Sequence, residues 1–131
     1  MAQIQNTCIG LGGLEINNAK SDCYALVQEI ACARDILCRG PGCSKYATAG
    51  HHLYKRDRMA TAFDPRYVIG MCVDCHGWAH ANPAQFTDWI ISWMGDEYYY
   101  GVRKSHSVVK DVNYAEIREG LKRILAAYKR A

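Results

Sequence analysis

Seven cysteines in a chain of 131 residues constrain this fold more than any other feature. Four of them fall in two close pairs. Cys38 and Cys43 flank Arg39-Gly40-Pro41-Gly42, a tight turn by composition, and Cys72 and Cys75 have C-x-x-C spacing. Each pair can bring two thiolates to one side of a turn, and four such sulfurs meet the tetrahedral preference of zinc. A structural Zn2+ held this way clamps two distant segments, which helps a domain with a modest core. C-x-x-C also serves redox chemistry, but no βαβ pattern surrounds this one. Cys8, Cys23 and Cys32 are left over. Cys23 and Cys32 fall on a predicted helix and are expected to be small buried residues.

The compartment bears on whether thiols pair or bind metal. Met1 to Gly13 lacks the positive start and long apolar run of a signal peptide, and no segment reaches the roughly 18 apolar residues of a membrane span. The expectation is a cytoplasmic chain with no membrane partner and reduced thiols, which favours metal ligation over disulfides. A net charge of +3 permits a nucleic-acid partner without establishing one.

The pattern predicts an α+β domain. Residues 1–20, with Gly10, Gly12 and Gly13, read as a loose start, and residues 21–131 as one domain. Ser21 can cap a helix over 21–35, with Cys23, Leu26, Val27, Ile30 and Leu37 recurring at helical spacing. The cysteine and histidine motifs occupy 36–82. There, Lys45 to Lys55 suits a strand, Tyr54 to Arg66 a polar loop, Tyr67 to Met71 a short strand, and His76 to His80 a short helix. Residues 83–131 supply C-terminal helices. Asn82-Pro83 opens one that carries Phe86, Trp89, Ile90 and Trp93 on one face and stops near Gly95. Asp96 to Val112 fits no single element. Asn113 and Glu116 form a capping pattern for a last helix with an apolar stripe of Tyr114, Ile117, Leu121, Leu125 and Tyr128. Trp78, Trp89 and Trp93 suit the core better than a stacking platform. Arg118, Lys122, Arg123, Lys129 and Arg130 suit a solvated face of the last helix.

Four of the five histidines cluster. His76 and His80 share one face of a helix and can chelate one ion. His51 and His52 point to opposite faces of a strand, so one can ligate metal while its neighbour faces a substrate. Either His76 or His80 could instead replace a cysteine in the zinc site. His106 has no partner in the sequence and is expected at the surface.

The segments "AGHH" at 49–52, "YVIGMC" at 67–72 and "CHGWAH" at 75–80 resemble the HNH, or ββα-metal, nuclease motif. The flanking cysteine pairs resemble the zinc-stapled subgroup found in many phage proteins, and "EIACARDILCRGPGC" is similar to the helix and knuckle that precede the motif there. The arrangement of histidines also resembles the metal site of nuclease colicins. The match covers about Gln28 to Pro83. It implies a ββα-metal core with four-cysteine zinc knuckles and flanking helices. It also implies that His52 is the general base, that His51, His76 and His80 hold the catalytic ion, and that Cys38, Cys43, Cys72 and Cys75 hold the zinc. A one-residue shift would make His51 the base. Tyr67 stands where the family usually has its middle Asn, which steadies the base-bearing loop or ligates metal.

The implied activity is DNA endonuclease, nicking included, by metal-assisted phosphodiester hydrolysis. His52, through Nε2 or Nδ1, takes the proton of the attacking water, so activity should fall below roughly pH 6. Three imidazoles suit a transition metal better than magnesium, although the ion (Mg, Mn, Ni or Zn) does not follow from them. Lys55, Arg56, Arg58 and Arg66 follow the histidine pair and can contact DNA phosphates; the alternative for them is a solvated loop. One rival is an inactive zinc-stabilised nucleic-acid-binding module. Another is a structural zinc protein that binds a protein partner through its Tyr- and Trp-rich C-terminal half.

Overall fold

The computed structural model describes residues 15–130, with side chains from Asn18 onward. Most of the expected loose start, including Cys8 and the three early glycines, lies outside the described residues. The elements are α1 (Glu15–Asp35), β1 (Ala49–His52), α2 (Met59–Ala62), a 3-10 turn (Pro65–Tyr67), β2 (Val68–Met71), α3 (Val73–Ala81), α4 (Pro83–Met94), α5 (Asp96–Ser105) and α6 (Tyr114–Arg130). The chain is α+β, mostly helical, with one small two-stranded sheet. No helix among the described residues is long and apolar enough to cross a membrane.

Helix α1 starts earlier than the sequence suggested. Glu15 to Lys20 are already helical, and Ser21 lies inside the helix rather than at its cap. Ala19 explains the extension: it is buried one turn before Cys23, so the apolar stripe begins a turn sooner than the larger side chains show. Leu37, expected on that stripe, is exposed beyond the helix end. Ile36 breaks the helix with a φ of 64°, a left-handed conformation that costs a β-branched residue about 1–2 kcal/mol. That reversal turns the chain toward Cys38.

Strands β1 and β2 pair antiparallel, with Gly50 opposite Gly70 and His51 opposite Ile69. Both glycines face α1. A Cβ on Gly50 would lie 2.8 Å from the Gln28 Cα, and one on Gly70 would lie 3.2 Å from the Ala31 oxygen. A side chain at Gly50 would push the helix off the sheet, and one at Gly70 would also meet the Ala47 Cβ at 2.8 Å. The alternation then sends His51, Ile69 and Met71 to the opposite face.

Two apolar clusters result. Val27, Ile30, Ala31 and Val68 pack with Leu121 and Leu125 of α6. On the other side, Ile69 and Met71 pack with Ala79 of α3 and Phe86 and Ile90 of α4. Trp89 is half-buried and donates its indole N–H to the Arg39 carbonyl at 2.7 Å, while Trp93 lies partly exposed beneath the Arg39 guanidinium. Asn82 holds the N-cap position of α4, but its side chain makes no cap bond to that helix; its amide donates to the Trp78 carbonyl of the preceding helix.

The region expected to be a loop contains α2 and the 3-10 turn, and the ambiguous Asp96–Val112 stretch contains α5. Asp96 and Glu97 in the first turn of α5, with Arg103 and Lys104 in its last, match the helix dipole. The capping reading of Asn113 holds, since its side-chain oxygen accepts from the Glu116 N–H at 3.0 Å. Not all of the basic face of α6 is solvated: Arg118 pairs with Asp22 of α1 at 3.0 Å.

Candidate metal centres and cleft

The cysteine centre forms where three loop ends meet. The Ile36 reversal delivers Cys38, the Gly40–Gly42 turn delivers Cys43, and β2 runs directly into Cys72 at the start of α3. The four sulfurs of Cys38, Cys43, Cys72 and Cys75 lie within 4.8 Å of one another, so the group can hold a metal ion such as zinc. Cys43 and Cys72 sulfurs stand 3.9 Å apart, well beyond an S–S bond. Backbone N–H groups of Gly40 and Cys75 donate to the Cys38 and Cys72 sulfurs, contacts suited to thiolates. The Cys75 N–H bond is the main influence pulling the Cys72 thiol down to about 7, whereas burial pushes Cys38 and Cys75 up. Four thiols this close cannot all ionise without a cation to offset their charge.

Helix α3 links this centre to a second one. Cys72 caps the helix and Cys75 sits in its first turn; His76 and His80 follow on one face. Their Nε2 atoms are 3.2 Å apart. His51 reaches them from β1, with ring centroids 5.1 Å from His76 and 4.9 Å from His80. One nitrogen from each of the three lies within 4.8 Å of the others. The Phe86 ring closes one side of His51 at 4.6 Å. Burial, reinforced by His76, His80 and His52, drives the His51 imidazole down to about 4, and burial also lowers His76. Both are therefore neutral near pH 7, the form that ligates metal. His51 Nδ1 is buried with no hydrogen-bond partner among the described residues. A buried imidazole left unsatisfied beside two others fits a site completed by a cation.

His52 lies on the other face of β1, toward α1. Its Nε2 is 3.0 Å from the Ala62 carbonyl of α2. A carbonyl only accepts, so Nε2 carries the proton and Nδ1 keeps the lone pair. Tyr24 packs edge-on against the ring at 6.0 Å. Burial lowers the His52 pKa, opposed by the Ala62 bond and helped by nearby Arg56.

All four clustered histidines line one open cleft of 580 Å³, together with Gln28, Lys55 and Arg56. The Arg56 guanidinium lies 4.4 Å over the Tyr24 ring, whose hydroxyl donates to the Arg56 carbonyl at 2.8 Å. Arg58 and Arg66 do not line the cleft. Arg58 donates to His106 at 2.7 Å, which gives that histidine the partner the sequence did not reveal. Arg66 is held by Asp64 at 2.8 Å. Sequence reasoning missed Ala62, Tyr24, Gln28 and Phe86. Phe86 was marked by helical spacing as a core residue and not as a wall of the site, and no local pattern marks the other three, because each acts through contacts made by the fold. No family model, no curated protein and no solved structure matches the chain.

Proposed function

We propose that this protein is a metal-dependent DNA endonuclease that hydrolyses phosphodiester bonds at a ββα-metal unit formed by β1, β2 and α3. The observation that carries this reading is the convergence of His51, His76 and His80 beside a cleft that also takes His52. His51, His76 and His80 would hold the catalytic ion; their nitrogen donors favour zinc or nickel over magnesium. When bound, that ion supplies Lewis-acid stabilisation of charge developing on phosphate oxygens.

The remaining work falls to the protein's own groups. His52 Nδ1 accepts a proton from the attacking water, while the Ala62 carbonyl fixes the tautomer that leaves Nδ1 basic. Arg56, already ordered on Tyr24, binds a phosphate beside the scissile bond at little further entropic cost. Lys55 adds positive charge to the same rim. Cys38, Cys43, Cys72 and Cys75 hold a structural zinc that fixes the start of α3 and thereby aims His76 and His80. The likeness to zinc-stapled phage nucleases suggests processing of mobile or phage DNA, by analogy alone.

A plasmid-nicking assay with magnesium, manganese, nickel or zinc tests this. Cutting is expected with at least one of them, and His52→Ala should lose about a hundredfold or more of the rate while keeping its fold and zinc. DNA binding without cutting under every metal would instead support an inactive zinc-stabilised module. Absence of any salt-sensitive DNA binding would point to a protein partner.

A further inference from the structure

Immediately after His52 the chain leaves the sheet, and two bonds hold it there. Leu53 donates its N–H to the Tyr67 carbonyl at 2.9 Å, and the Tyr54 hydroxyl donates to the Tyr98 carbonyl at 2.7 Å. Tyr67 is only 1% exposed, and its hydroxyl donates to the Glu97 carboxylate on α5. The Tyr54 and Tyr67 rings lie 5.3 Å apart. Helix α5 sits directly on both: a Cβ on Gly101 would come within 2.1 Å of the Tyr54 hydroxyl and 2.7 Å of the Tyr67 ring.

We propose that Tyr67 and Glu97 are positioning residues for His52, forming with Tyr54 a brace that locks the base-bearing segment to α5. The inference rests on the hydrolase reading above. Neither Tyr67 nor Glu97 lines the cleft, so neither reaches a substrate there. Phe would fill the same space as Tyr67 without a hydroxyl to satisfy, so packing alone does not explain the phenol. What the hydroxyl adds is a fixed register between α5 and the residue whose carbonyl holds Leu53. Ala62 secures the His52 ring from one side, and the brace secures its backbone from the other. Misplacing a catalytic group by about 1 Å can cost roughly a hundredfold in rate, so such a device has something to protect.

The test compares Tyr67→Phe, Glu97→Ala and Glu97→Gln in the zinc-loaded full chain. The glutamine keeps an oxygen that accepts from the phenol. For Tyr67→Phe and Glu97→Ala, kcat should fall roughly ten- to a hundredfold while KM stays within about twofold, and Glu97→Gln should recover most of the loss. Amide exchange at Leu53 should quicken in the same order, a readout independent of activity. Unchanged kcat in Tyr67→Phe, or equal losses in both Glu97 variants, would overturn the brace. If the wild type cuts no DNA, the hydrolase reading fails by itself. The brace then stands or falls on Leu53 exchange and the His52 ring nitrogen spectrum, and no difference between wild type and Tyr67→Phe refutes it.

Discussion

A Cβ on Gly40 would lie 2.6 Å from the Cys75 sulfur and 3.3 Å from the Cys38 sulfur. The residue is therefore part of the cysteine centre although it offers no ligand. Gly40→Ala should weaken zinc retention by roughly tenfold or more, because the sulfurs must spread to admit a methyl group. Competition with a chromogenic chelator measures it, and an unchanged affinity would show that the loop relaxes freely. The four cysteines and three histidines of the two centres were legible in the sequence because ligand chemistry allows few residue types and spacing brings them together. Gly40, Gly50 and Gly70 were not, since a missing side chain signals nothing until its neighbour is known. Tyr67 was legible only as a departure from a resemblance; its partner Glu97 stands 30 residues away.

Among the elements, α1 is tied to β2 by hydrogen bonds from its terminal Arg34–Asp35 pair, a link that no sequence pattern announces. Arg34 donates to the carbonyls of Pro65 and Val68, at 2.6 and 2.8 Å. Asp35 accepts from Arg34 and from the Gly70 N–H, and its side chain is 2% exposed. Burial would raise the Asp35 pKa, but the Arg34 and Gly70 bonds outweigh it and hold the carboxyl below its ordinary value. Asp64 behaves alike: burial is overcome by Arg66 and Lys104. Both folded-state values are depressed, so their stabilisation is complete above about pH 4 and disappears as the pH falls through those lower values. Denaturant midpoints should therefore decline on the acid side, and Asp35→Asn should lower stability by about 3 kcal/mol at pH 7 while flattening that decline. A parallel acid limb in wild type and variant would contradict the assignment. Helix existence was legible wherever apolar periodicity or a cap marked it, as in α4 and α6. The start of α1 and the existence of α2 and α5 were harder, because small or polar residues dominate there.

At the scale of the whole molecule, the two apolar clusters differ in what supports them. The one between α1 and α6 is built from side chains alone. The other includes Cys38 and Cys72 and carries α3 and α4. Stripping zinc, or Cys72→Ser, should therefore loosen α3 and α4 first and leave α1 and α6 protected, as hydrogen exchange resolved by segment would report. Uniform loss of protection would mean that the centre staples the entire chain. The α+β class was legible from the alternation of short strand patterns with helical ones. How the two strands share out their faces was not, because it depends on glycines that admit α1.

The proposed hydrolysis requires three imidazoles to share one ion while the fourth stays free. Calorimetric titration of the zinc-loaded protein with nickel tests that division directly. The wild type and His52→Ala should each take up one further equivalent, and His51→Ala and His76→Ala should take up none. Uptake that persists without His51 or His76, or vanishes without His52, would contradict it.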